Sequence, residues 1–140
     1  MIVLDTNVVS EPMKPDGNPA VRIWLDQQVS ETLYLTTTSL AELLVGIEIL
    51  PEGKRKHGLD VALTELMAKL FGSRILPFDQ QAAMAYASTI ARARADGCVL
   101  SMADGQIAAI ATVHGFTVAT RDTKPFLATG VPVINPWDKL

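Results

Sequence analysis

Four carboxylates in this chain stand where strands end or helices begin. Asp5 follows the apolar run Ile2-Val3-Leu4 and precedes Thr6 and Asn7, and Asp122 follows Thr117-Val118-Ala119-Thr120 and Arg121. Glu42 and Asp104 each come three residues after a Ser, in Ser39-Leu40-Ala41-Glu42 and Ser101-Met102-Ala103-Asp104, a spacing that opens helices by capping. Singly, each acid has a local use as a turn or cap residue. Together they predict one acidic edge, provided the helices start at the end of the sheet where the strands finish. Two carboxylates about 5 Å apart at an effective dielectric near 20 repel by roughly 3 kcal/mol, so four cannot all stay ionised unaided. Either some hold a proton with a raised pKa, or a hard divalent cation supplies the missing charge. The set is all oxygen, without His or Cys, which suits Mg²⁺ or Mn²⁺ with several retained waters better than a softer metal. Such an ion can acidify a water, orient it toward phosphorus and neutralise the charge that develops there.

The elements that must place these acids are legible in order. Ile2-Val3-Leu4 is apolar without alternation, as in a strand covered on both faces, and in open α/β sheets ligands bind beyond the carboxyl ends of the strands. Glu11 to Asn18, rich in Pro and Gly, reads as a loop, with Asn18 capping a helix that has Pro19 first and runs to about Gln28. Leu33 to Thr37 is a second strand. The Ser39 capping box predicts a helix over 40–50 with Glu42 in its first turn. A long helix is expected over 54–71, stopped by Gly72, with Leu59, Leu63, Leu66, Met67 and Leu70 on its buried face. Arg74 to Phe78 reads as an edge strand, since it contains Pro77. Asp79 caps a helix over 80–95 closed by Asp96-Gly97, and Ser101 opens one over 102–113 closed by His114-Gly115. Thr117 to Thr120 and Val131 to Ile134 are the remaining strands, with a short helical turn over 123–128 between them. This alternation predicts an α/β sandwich in one domain, residues 1–140, with five strands, a mostly parallel sheet and five to six helices on its two faces.

Composition narrows the function classes. With 49% hydrophobic and 19% charged residues among 140, the chain is globular and long enough for one substantial core. No apolar run reaches the roughly 18 residues of a membrane helix, and no signal peptide is recognisable, so a cytoplasmic protein without membrane partners is expected. Cys98 is alone and reads as packing, and no Cys/His spacing resembles a zinc site. A formal net charge of −3, from 12 Lys+Arg and 15 Asp+Glu, argues against a polyanionic partner only at first sight. Setting aside the four clustered acids leaves 12 basic against 11 acidic side chains, a balance that still permits local phosphate-binding patches. Arg121, beside the acidic edge, and the run Lys54-Arg55-Lys56 are the candidates for holding a phosphate backbone.

Several segments together resemble a PIN domain: Val3-Leu4-Asp5-Thr6-Asn7, Ala41-Glu42-Leu43, Ala103-Asp104-Gly105-Gln106-Ile107-Ala108-Ala109 and Thr120-Arg121-Asp122-Thr123-Lys124-Pro125-Phe126. More narrowly, Leu50-Pro51-Glu52-Gly53-Lys54-Arg55 and the closing Asn135-Pro136-Trp137 resemble toxins of the VapC/FitB branch. The resemblance covers essentially the whole chain and implies a PIN-like three-layer sandwich. It also implies an endoribonuclease dependent on Mg²⁺ or Mn²⁺, acting as the toxin of a type II toxin–antitoxin pair. A cognate antitoxin, an RNA substrate, a homodimer and operator DNA reached only through the antitoxin complex are the implied partners. Asp5, Glu42 and Asp104 fall on the family's acids, with Thr6, Asn7 and Thr120 in support. The chain departs from the commoner pattern at the fourth acid, with Asp122 where an Asn is usual and Pro125 where the Asp is usual, so Asp122 is the expected fourth ligand. Gly105 stands where a larger residue is common. A catalytically silent PIN-like module that binds an antitoxin or another protein is the alternative.

Overall fold

Alternate residues of each central strand face opposite apolar layers, and this alone builds the sandwich. In the computed structural model, which describes residues 1–138, five strands form one all-parallel sheet: β1 (Ile2–Leu4), β2 (Leu33–Thr36), β3 (Ile75–Leu76), β4 (Thr117–Ala119) and β5 (Val133–Ile134). Their spatial order is β3-β2-β1-β4-β5. Leu4, Leu33, Leu35 and Ala119 point into one layer, where they meet Val8, Val21, Trp24, Leu43, Ile47 and Phe71. Val3 and Val118 point into the other, against Ile107, Ala108, Ala111 and Phe126. Continuous apolar sequence in β1 is therefore explained by burial on both faces. The edge position expected for the third strand is observed, with β3 outermost beside β2, but the strand is shorter than expected and ends at Leu76, so Pro77 lies just past it.

Seven α-helices cover the sheet among the described residues, one or two more than expected: α1 (Thr6–Ser10), α2 (Pro19–Asp26), α3 (Thr37–Glu48), α4 (Lys54–Leu66), α5 (Gln80–Ala95), α6 (Met102–His114) and α7 (Thr123–Ala128). The unexpected one is α1, which begins directly after β1 with Asp5 as its N-cap and runs into a 3-10 turn, Glu11–Met13. The helix expected over 54–71 stays helical but changes character, from α over Lys54–Leu66 to a π turn over Met67–Phe71, before Gly72 stops it with φ +55°. Of its expected apolar face, Leu63 is buried and Leu59, Leu66, Met67 and Leu70 pack at the core's edge. No helix among the described residues is long and apolar enough to cross a membrane.

Two local features set the positions of Glu42 and Asp104. Helix α3 starts three residues earlier than its Ser39 signal suggested: Thr36 at the end of β2 is the N-cap, and its Oγ1 accepts the Ser39 N–H at 3.0 Å. Ser39 therefore lies inside the first turn, fully buried, and its hydroxyl has no partner among the described residues. Glu42 is the sixth residue of the helix and sits in its second turn rather than its first. Asp104 is where the capping signal placed it, in the first turn of α6, with its N–H donating to Ser101 Oγ at 3.1 Å. Gly105 beside it is closely packed: a Cβ there would stand 2.8 Å from both Ile90 Cδ1 and Tyr86 Cε2 of α5, so a larger residue would have to displace those side chains.

The two hydroxyls at the start of α3 separate experimentally. Thr36→Val keeps the buried shape but removes the acceptor for a helix N–H, and should cost about 1–2 kcal/mol in urea unfolding. Ser39→Ala removes a buried, unpaired hydroxyl from a helical position and should leave stability unchanged or raise it by up to about 1 kcal/mol. The reverse ranking would return the cap to Ser39.

Candidate active site

Strand order reverses direction at β1: the chain moves outward through β2 and β3 on one side and through β4 and β5 on the other. The crevice beyond the carboxyl ends of β1 and β4 is thus the topological switch point, where α/β sheets leave room for a ligand. Asp5 stands at this crevice, its N–H bonded to the Ala119 carbonyl at 2.9 Å. Its side chain accepts from the Thr6 N–H at 2.8 Å through one oxygen and from Thr120 Oγ1 at 2.7 Å through the other. At 4% exposure it is a buried carboxylate with hydrogen bonds but no cationic partner among the described residues.

The other three acids surround it. Glu42 reaches the crevice from α3, where its Oε1 accepts from the Thr6 hydroxyl at 2.7 Å. Asp104 reaches it from the first turn of α6, and Asp122 from the loop after β4. Asp122 occupies the N-cap position of α7 but makes no side-chain cap bond; its Oδ2 instead accepts from Asn7 Nδ2 at 3.4 Å. Thr120 joins the two halves, since its hydroxyl donates to Asp5 while its oxygen accepts the Asp122 N–H at 3.0 Å. Asn7 does likewise on the other side, its Oδ1 accepting the Arg121 N–H at 3.4 Å. All seven residues expected in this centre, Asp5, Glu42, Asp104, Asp122, Thr6, Asn7 and Thr120, are therefore brought together.

Electrostatics register the crowding. Burial pushes the Asp5 carboxyl from its ordinary 3.8 up to about 6; the Thr120 and Thr6 hydrogen bonds pull it down, and the negative charges of Asp104 and Glu42 push it up again. Asp104 is also raised, first by burial, with Ser101 opposing and Asp122 and Glu42 adding to the effect. Neighbouring negative charge thus adds to burial in making Asp5 and Asp104 harder to ionise, as like charges in one crevice do. Among the described residues, no three carboxylates close on a single ligating point, so the acids ring the crevice without forming a complete cage.

Beside Thr6 and Glu42 the crevice widens into a cleft of about 850 Å³ between α1, α3 and α4, floored by Leu43, Ile47 and Leu50. Lys54 and Arg55 line it, whereas the Lys56 ammonium is engaged by Glu52 Oε1 at 3.0 Å and by the Glu48 carbonyl at 3.1 Å. Lys14 also lines the cleft. It was not expected there, because the Pro-rich segment that carries it has no periodicity to show its direction. Arg121 does not line this cleft; its guanidinium lies over the Trp137 ring, 5.4 Å from the centroid.

The comparisons with known proteins agree with this architecture. The chain is 48% identical over 138 residues to the VapC ribonuclease Y4jK of Sinorhizobium fredii, with 99% of each chain covered. It is 47% identical over 137 residues to the toxin FitB of Neisseria gonorrhoeae, covering 98% of this chain and 99% of that one. A solved structure of FitAB bound to an IR36 DNA fragment superposes with a TM-score of 0.93 at 45% identity, over 98% of this chain and 96% of that one. The family model for the PIN domain matches residues 2–131, which takes in every strand but the last and all four acids, and the chain belongs to the PIN-domain family.

Proposed function

We propose that the chain is a metal-dependent endoribonuclease and the toxin of a toxin–antitoxin pair. The observation that carries the proposal is the ring of four carboxylates at the switch point, two of them with raised pKa and none paired with a cation among the described residues. A catalytically silent module has no physical reason to accumulate that repulsion. The names of the relatives, a ribonuclease and a toxin, support the same reading. The complex of FitAB with DNA supports an antitoxin partner and operator binding through it.

The donor set fits a hard divalent cation, Mg²⁺ or Mn²⁺: it is all oxygen, its charge is uncompensated, and its open arrangement suits an ion that keeps several waters. When bound, the ion would neutralise carboxylate charge and acidify a water for attack on phosphorus, releasing a sugar hydroxyl as the P–O bond breaks. Asp5, Glu42, Asp104 and Asp122 would hold it. Thr120 fixes the Asp5 carboxylate and Thr6 fixes that of Glu42, so that both are oriented before any ligand arrives. Asn7 holds Asp122 from the other side. Lys54 and Arg55 offer the RNA backbone a basic path toward Glu42, and Arg121 offers a phosphate contact outside the cleft; Lys14, 3.7 Å from Glu11 Oε2, and Lys56, engaged by Glu52, add charge to that path from within ion pairs.

Asp5→Asn should abolish cleavage of total RNA while leaving the fold intact, and EDTA should do the same to the parent. The variant has a second signature. Because the folded-state pKa of Asp5 lies near 6 rather than 3.8, the folded protein binds more protons than the unfolded chain between these values. Metal-free stability must then fall as pH rises through that window. The effect is worth at most about 3 kcal/mol. In EDTA, Asp5→Asn should therefore be more stable than the parent at pH 8 and no more stable near pH 4. Equal stability at both pH values, or cleavage by the variant, would refute the assignment.

Asp122 is tested by a different ratio. Asp122→Asn should raise the Mg²⁺ concentration needed for half-maximal cleavage at least about tenfold at nearly unchanged stability, because Asn keeps the local hydrogen bonding and loses only the charge. Full activity at limiting Mg²⁺ would reduce the site to three acids.

The exposed apolar side chains Met84 of α5, Leu44 and Val45 of α3 and Ile49 just past its end support a homodimer. Light scattering at micromolar concentration should give twice the mass of the 15.1 kDa chain, and a monomer there would remove the dimer from the proposal.

A further inference from the structure

The closing Asn135-Pro136-Trp137 segment has no part in the acid centre, yet it ends beside it. Backbone bonding brings it there: the Thr120 N–H donates to the Ile134 carbonyl at 2.9 Å, tying the end of β5 to the end of β4. Asn135 Oδ1 then accepts the Trp137 N–H at 3.0 Å and turns the chain into a 3-10 segment, Pro136–Asp138, packed against α2. Trp137 leans on the apolar layer below the sheet and carries the Arg121 guanidinium over its ring, 5.4 Å from the centroid. Arg121 itself is exposed, makes no ion pair with an acid among the described residues, and adjoins Asp122 in sequence. A long, flexible cation next to four carboxylates would be expected to fold onto them. Here the ring offers it a competing seat, and its N–H is held by Asn7 Oδ1.

We propose that Trp137 is a positioning residue. It holds the Arg121 guanidinium beside the acids rather than on them, so that Arg121 engages a backbone phosphate of single-stranded RNA adjacent to the phosphate undergoing hydrolysis. The inference rests on the ribonuclease reading and adds to it the device that keeps this cation available. A stacked guanidinium keeps its donor edge free for a bidentate phosphate contact. It also loses less side-chain freedom on binding than a free one, so the seat lowers the cost of capture.

The test uses labelled single-stranded RNA oligonucleotide bound in EDTA, where nothing is cut, over a range of salt concentrations. Four variants are compared with the parent: Arg121→Ala, Trp137→Phe, Trp137→Leu and the double Arg121→Ala/Trp137→Leu. Phe and Leu both fill the apolar seat, but only Phe keeps a π face. Arg121→Ala should weaken binding and flatten the salt dependence by about 0.7 of slope, the value for one phosphate contact on a single strand. Trp137→Leu should weaken binding about threefold, shift the slope in the same direction, and add nothing in the double variant. Trp137→Phe should stay near the parent. With Mg²⁺ restored, the Leu variant should show a raised KM with kcat nearly unchanged. If Phe and Leu behave alike, or if the Leu effect persists in the Arg121→Ala background, Trp137 is only packing and the inference is overturned. A parent that binds RNA with this pattern but does not cut it with Mg²⁺ would instead overturn the ribonuclease reading and leave the Arg121–Trp137 couple standing.

Discussion

Asp5 is a carboxylate taken out of water and given hydrogen bonds instead of a counter-charge. That choice organises the rest of the structure. Its two acceptor oxygens are each committed, one to the Thr6 N–H and one to the Thr120 hydroxyl, so it cannot turn away from the crevice when neighbouring acids crowd it. The bond to Thr120 also fixes the relation between the ends of β1 and β4, the adjacent strands at which the sheet changes direction. A site at this crevice therefore inherits its precision from the register of the sheet rather than from a loop.

The helices offset only part of the resulting repulsion. The N-termini of α1, α6 and α7 all open toward the acids, through Asp5, Asp104 and Asp122 respectively. A favourable helix end is worth about 0.3–1 kcal/mol to a nearby carboxylate, whereas one close pair of acids at an effective dielectric near 20 costs roughly 3 kcal/mol. The dipoles lose that comparison, which is why burial and neighbouring charge still raise Asp5 and Asp104. In the proposed ribonuclease, what the backbone does not neutralise would be left for a ligand, and the free energy stored in the ring would favour a small, highly charged ion.

Much of this arrangement could be read from the chain before its structure, because its signals are local. The unbroken apolar run of β1, the Asn18-Pro19 start of α2, the Ser101 cap of α6 and the Asp96-Gly97 stop of α5 each depend on a few adjacent residues, and each is where it was expected. Failures occurred where competing signals were equally local or where the determinant was distant. Five residues, Thr6–Ser10, are too few to show a 3.6-residue period, so α1 was invisible. Thr36 and Ser39 can both cap a helix, and the choice between them is made by where β2 delivers the chain, which no short motif records. The seat of Arg121 on Trp137 joins residues 16 apart through two strand ends, and the direction of Lys14 depends on the fold of a Pro-rich turn. Convergence of the four acids was legible only because each stood at a strand end or helix start.

The start of α7 shows how stability and site chemistry were weighed against each other. Asp is among the best N-cap residues, and a formed cap is worth about 1 kcal/mol. Asp122 occupies that position with φ −89° and ψ 68°, yet its carboxylate bonds none of the helix N–H groups and faces Asn7 instead. A sequence selected for folding alone would have closed that bond, which requires only a change of side-chain and backbone torsion in an exposed residue. Ser101, at the start of α6, does close its cap, and it can do so because the acid at that site is three residues further on. Where cap and acid are different residues, both roles are filled. Asp5 serves as both at the start of α1, since its carboxylate accepts the Thr6 N–H while facing the crevice, whereas Asp122 at the start of α7 forgoes the cap, the trade that the proposed role of its carboxylate as a ligand predicts.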